Sequence, residues 1–107
     1  MAIDIRLKKE KDFNLVFSKG KRLYSSTLTV IYFPSNEIKA GFAVSKKHGG
    51  SVKRNRIKRL LRESFRSFMP KLGKNFFFVF IPKVEEEYSL KKFTENMEFL
   101  FKKGGII

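Results

Sequence analysis

Apolar and polar residues follow two rhythms along this chain, and its elements change where the rhythm changes. Between Lys9 and Lys19, Phe13, Val16 and Phe17 recur at the i, i+3, i+4 spacing of an amphipathic helix, and Gly20 stands where a helix commonly stops. From Leu23 to Phe33 the pattern alternates in a stretch rich in Thr, Val, Ile, Tyr and Phe. Pro34-Ser35-Asn36 is turn chemistry, and a second run spans Ile38 to Ser45. These runs predict an antiparallel pair of strands, with a third strand at Gly41 to Ser45 or fused with the second.

After the loop Lys46-Lys47-His48-Gly49-Gly50, Ser51 is the expected N-cap of a helix running to about Phe68, with Pro70 and Gly73 beyond its end. Phe76 to Ile81 is apolar at both parities, as suits a strand buried on both faces, so it is the expected core strand. Ser89 can cap a last helix through Lys103, with Leu90, Phe93, Met97 and Leu100 inward and Gly104-Gly105 ending it. Helices on a small sheet, an α/β class, is the prediction. The 107 residues fit a single domain that buries a core without staples.

Charge changes the picture most in the middle helix. From Lys46 to Arg66 the basic residues Lys46, Lys47, Lys53, Arg54, Arg56, Lys58, Arg59, Arg62 and Arg66 face Glu63 alone, which makes +8 of a total of +14. At about 100° per residue, Ile57, Leu60, Leu61, Ser64 and Phe68 fall on one side. Asn55, Arg59, Arg62 and Arg66 fall opposite. Arg54, Lys58 and Arg62 advance by four along the flank beside Leu61 and Phe65, while Arg56 lies on the other flank. One helix can therefore offer two basic surfaces. A helix kept basic only for solubility would accept acids equally well, and here they are nearly absent.

The whole chain carries 24 Lys and Arg against 10 Asp and Glu, which points to a polyanionic partner. Thirteen phenylalanines and 42% hydrophobic residues argue for a folded core rather than a basic tail or a membrane-surface helix. The absence of cysteine removes disulfides and thiolate metal sites and suits a reducing cytosol. No apolar run of signal-peptide length opens the chain, and none approaches the ~18 residues that span a bilayer. The expectation is a cytoplasmic protein with no membrane partner and no small-molecule substrate.

Lys46-Lys47, Gly49, Val52 and the run Arg54-Asn55-Arg56-Ile57-Lys58-Arg59-Leu60-Leu61-Arg62-Glu63 closely resemble the signature of the bacterial ribonuclease P protein family. Leu7-Lys8-Lys9, Asp12-Phe13, Val16-Phe17 and Gly20 look like that family's first helix, and Gly41 to Ser45 like the strand before its signature. The resemblance runs from about Arg6 to Lys103. His48 and Ser51 depart from it, standing where the family usually has a small or aliphatic residue and Ala. Ile31 stands where some relatives carry an aromatic, with Tyr32 on the opposite face.

The resemblance implies a two-layer α/β sandwich with a small mixed sheet, about three helices and a left-handed β-α-β crossover, against the usual right-handed preference. It also implies a subunit of an endoribonuclease: a protein joined to a catalytic RNA that together remove the 5′ leader of precursor transfer RNA. Carried over, Phe13, Phe17, Arg54, Asn55, Lys58 and Arg62 belong to the leader side. Lys46, Lys47, Lys53, Arg56, Arg59 and Arg66 belong to the surface for the RNA subunit. Helical spacing alone favours a core place for Phe13 and Phe17; on a cleft they would be stacking platforms for unpaired bases.

A nuclease acting alone needs converging carboxylates, and the acids here are scattered or sit in the Glu85-Glu86-Glu87 loop, where solvation is reason enough for them. His48, the single imidazole, is expected at the surface or against RNA rather than as a general base. Catalysis is therefore expected in the RNA, with Mg²⁺ held mainly by the RNA subunit and none by the protein alone. A ribosomal-type structural RNA-binding protein is the alternative reading, and a stand-alone nuclease a third.

Overall fold

The computed structural model describes residues 5–107; Met1 to Asp4, read above for export signals, lie outside them. The described residues form helices α1 (Glu10–Lys19), α2 (Ser51–Phe68) and α3 (Leu90–Lys103), and strands β1 (Lys21–Tyr24), β2 (Leu28–Pro34), β3 (Lys39–Phe42) and β4 (Phe76–Pro82). Among these residues no helix is long and apolar enough to cross a membrane.

β4 takes a central place because neither of its faces tolerates water. Phe78 and Phe80 point to one side and Val79 to the other, all fully buried. The sheet order is β1-β2-β4-β3. β2 pairs antiparallel with β4, setting Val30 opposite Phe80 and Phe33 opposite Phe77. β3 runs parallel to β4, with Gly41 opposite Val79 and Phe42 opposite Phe80. Parallel neighbours need a crossover, and α2 is that crossover.

This order corrects the expected pairing of Leu23–Phe33 with Ile38–Ser45. The first run is two strands, broken at Ser25-Ser26-Thr27, and its second part never touches β3 because β4 lies between them. Alternation reports which face of a strand is buried; it carries no information about neighbours. Asn96 of α3 pins the unexpected turn, its Oδ1 accepting from the Thr27 amide at 3.2 Å.

One face of the sheet is covered by α2 and α3. Ile57, Leu61, Phe65 and Phe68 of α2 and Phe93, Met97, Leu100 and Phe101 of α3 close over Leu28, Val30, Phe78 and Phe80. Ser64 bonds Thr94 across the two helices at 2.9 Å, so the polar group inside is satisfied. Leu90, expected inward, is partly exposed in the first turn, and Phe101 takes a core place instead. The other face carries α1 alone: Val16 seals against Leu7, Ile31 and Val79, with Phe13, Phe33, Phe77 and Ile81 partly buried around them.

Two local expectations are also corrected. Gly50, with no side chain to offer, is the N-cap of α2, and Ser51 lies inside the helix. Ser89 does cap α3, accepting from the Lys92 amide at 3.2 Å. His48 is not a surface residue. Its Nε2 donates to the Pro82 carbonyl at 2.7 Å and its Nδ1 accepts from the Ser45 amide at 3.1 Å, which fixes the Nε2–H tautomer and buries the ring. The histidine ties the turn before α2 to the end of β4.

Phe65 meets Phe78 at 5.3 Å and Phe80 at 5.5 Å between ring centroids. Phe65→Ala is expected to lower stability by about 3–5 kcal/mol, as for a large aromatic removed from a close-packed core. Urea unfolding measures this; a loss below about 1 kcal/mol would mean that the site collapses freely.

Candidate nucleic-acid interface

α2 separates its residues into a buried stripe and two basic surfaces. Asn55, Arg56, Arg59 and Arg66 are exposed on the outer side, while Arg54, Lys58 and Arg62 are half-buried on the flank toward β3. The Nε atoms of Arg54 and Arg62 are buried, so each stem lies along the protein and only part of the side chain reaches solvent. Arg62 is further held over the Phe42 ring, 5.9 Å from its centroid, and Phe42 stacks on Phe80 at 5.9 Å. A guanidinium placed this way is pre-oriented, so less freedom is lost when it binds an anion.

Beside that flank lies a hollow of about 250 Å³ lined by Arg6, Leu7, Phe13, Ala40, Gly41, Phe42, Lys58 and Arg62. Three of the expected leader-side residues, Phe13, Lys58 and Arg62, therefore meet in one place. Phe17 lies one turn on from Phe13 and is 37% exposed, outside the lining. Arg54 continues the basic row one turn earlier, and Asn55 faces outward with Arg56 and Arg59. Ile31 is fully buried under α1, and Tyr32 on the other face packs edge-on against Phe76 at 5.3 Å.

The expected RNA-subunit residues divide as well. Lys46 and Lys47 are exposed on the turn that His48 anchors. Lys53 has a structural partner: its ammonium donates to the Glu86 carbonyl at 3.0 Å and sits 5.7 Å from the Tyr88 ring centroid. That contact holds the loop after β4, which Tyr88 closes by donating to the Lys83 carbonyl and accepting from the Glu85 amide.

Arg6, Leu7, Ala40 and Gly41 were absent from the sequence-derived site. The segment before α1 lies along the free edge of β3, with the Leu7 amide donating to the Ala40 carbonyl at 2.9 Å. Gly41 makes room for Phe13: a Cβ at that position would stand 2.4 Å from the Phe13 ring. Only a glycine admits so close an approach, and an unexplained glycine in a strand was the available signal.

A small mixed sheet bearing a basic helix beside an aromatic-edged hollow defines an RNA-binding α/β protein. Comparison with known proteins narrows this. The Ribonuclease P family profile matches residues 1–105. A ribonuclease P protein component of Clostridium kluyveri is 39% identical over 107 residues, covering 94% of this chain and 95% of its own. One from Caldanaerobacter subterraneus subsp. tengcongensis is 39% identical over 101 residues, covering 92% and 87%. The RNase P protein structure from Thermotoga maritima superposes with a TM-score of 0.81 at 30% identity, over 92% of this chain and 96% of that one. That of Staphylococcus aureus gives a TM-score of 0.85 at 24% identity over 97% and 98%, a likeness of fold. The chain belongs to the ribonuclease P protein family.

The contact between Phe13 and Gly41 sets a testable coupling. Gly41→Ala is expected to cost about 1–3 kcal/mol through overpacking, and most of that cost should vanish when Phe13 is also Ala. A double-mutant cycle in urea reads the coupling; additive losses would mean that the ring and the glycine do not meet.

Proposed function

We infer that this chain is the protein component of ribonuclease P, an endoribonuclease whose catalysis is carried by its RNA, and that α2 serves two RNA molecules at once. The observation carrying this reading is the division of α2: an outer surface of Arg56, Arg59 and Arg66, and a flank of Arg54, Lys58 and Arg62 that meets Phe13 at a hollow. We assign the outer surface, with Lys46 and Lys47, to the catalytic RNA. The flank and hollow, with Phe17 beside them, take the single-stranded 5′ leader of precursor transfer RNA.

The chemistry of the residues supports the division. Arginine forks bind phosphate bidentately and stack on bases, while lysines neutralise phosphates as compact charges. A half-buried Phe13 and a partly exposed Phe17, one turn apart on one side of α1, offer ring faces to unpaired bases. Lys53, engaged with the Glu86 carbonyl, acts on RNA chiefly by fixing the start of α2. Asn55, on the outer side, adds an amide within reach of either surface.

Among the described residues no group of three or more imidazole or carboxylate side chains comes together. We place Mg²⁺ with the RNA subunit, where such an ion would activate water and stabilise the leaving oxygen. The protein's part is to hold the leader in place and to neutralise phosphates that would otherwise repel one another. We place this work in the cytoplasm.

The experiment is cleavage of a leader-bearing precursor transfer RNA by a bacterial ribonuclease P RNA at low Mg²⁺, with and without the protein. Accurate cleavage restored by the protein, which does nothing alone, is the expected result. No effect with a cognate RNA would favour a structural, ribosomal type of RNA binder.

A further inference from the structure

α1 crosses the sheet as a single ridge and leaves hollows on both sides of itself. At about 100° per residue, Phe13 and Phe17 fall on one side of the buried Val16, and Asp12, Leu15 and Lys19 on the other. The leader reading uses the first side. The second side has its own lining, which that reading leaves idle.

A hollow of about 220 Å³ on this second side is lined by Arg6, Leu7, Lys9, Asp12, Lys39 and Phe77, among others. Farther along, a hollow of about 390 Å³ opens across the end of the sheet, lined by Lys19, Lys21, Phe33 and Lys74 and, from the opposite face, by Tyr32 and Phe76. The two are joined by an aromatic floor. Phe33 and Phe77 are register partners on adjacent strands, both on the α1 face and both half-buried. Such partners have Cβ atoms about 5 Å apart, so the two hollows adjoin at these two side chains. The acids of this groove are Asp12 and Glu37, and Glu37 is paired with Lys39 at 3.4 Å. Lys19, Lys21 and Lys74 are exposed.

Basic ends around an aromatic floor are the features by which proteins bind single strands: charge tracks the backbone and rings stack the bases. The groove adjoins the first site, because Arg6 and Leu7 line both the leader hollow and its near end. We propose that this second groove receives the 5′-terminal part of a long leader after it has passed Phe13, Lys58 and Arg62. The proposal rests on the leader reading above.

The test is equilibrium binding of the reconstituted holoenzyme to three substrates: transfer RNA without a leader, with a leader just filling the first hollow, and with one several nucleotides longer. The longer leader should bind more tightly than the short one, and more steeply with salt. Lys19→Gln combined with Lys74→Gln should flatten the log-log salt slope for the long leader by about 1.4, at roughly 0.7 per phosphate contact on a single strand. The short leader, which does not reach these lysines, is the control. Phe77→Leu keeps an apolar side chain but removes the ring, and should cost the long leader at least about fivefold in affinity, the low end for one lost base stack. Equal affinity of wild type for both leaders, or an unchanged slope in the lysine variant, overturns the proposal. If short-leader and leaderless substrates bind alike, the leader reading itself fails and the groove falls with it.

Discussion

Phe65 of α2 packs against Phe78 and Phe80 of β4 at ring distances of 5.3 and 5.5 Å, and the arrangement of the rest of the molecule depends on that contact. Phe101 of α3 joins the same group, 5.5 Å from Phe78 and 6.4 Å from Phe65. Aromatic side chains bury large areas and gain further from edge-on geometry. With β4 parallel to β3, the chain must cross the sheet between them, and these rings fix where α2 lies as it does so. Once Ile57, Leu61, Phe65 and Phe68 are committed inward, every Arg and Lys of α2 is left to its outer side or flanks.

The placement of charge is therefore a consequence of the core. Arg62 shows the link most directly: its guanidinium rests on Phe42, which stacks on Phe80, which touches Phe65. The arginine we assign to RNA is thus positioned by the packed interior. On the opposite face α1 has no companion helix among the described residues. Val16 and its neighbours make a small seal, and the aromatic residues around it stay partly open.

Much of this was legible before any coordinates. The three helices carry strong periodic signals, β4 stands out as an unbroken apolar run, and the basic row Arg54, Lys58, Arg62 follows from the four-residue advance along a helix. What was not legible depends on contacts distant in sequence. His48 is buried with its Nε2–H donating a hydrogen bond to a carbonyl 34 residues away, that of Pro82. The β1–β2 turn has no Gly or Pro and is held by Asn96, some 70 residues on. Strand order depends on β4 inserting between β2 and β3, which neither strand's pattern records. The meeting of Phe13 with Lys58 and Arg62 needed the close approach that Gly41 allows.

The central claim is that one helix serves two RNA surfaces, and a comparison of two arginines tests it most directly. Arg62→Ala and Arg56→Ala holoenzymes would be compared for binding of precursor and mature transfer RNA and for assembly with the RNA subunit. The account predicts that Arg62→Ala weakens precursor binding more than mature binding, whereas Arg56→Ala weakens assembly. Equal losses for precursor and mature transfer RNA in the first variant, or unchanged assembly in the second, would contradict the division of the helix.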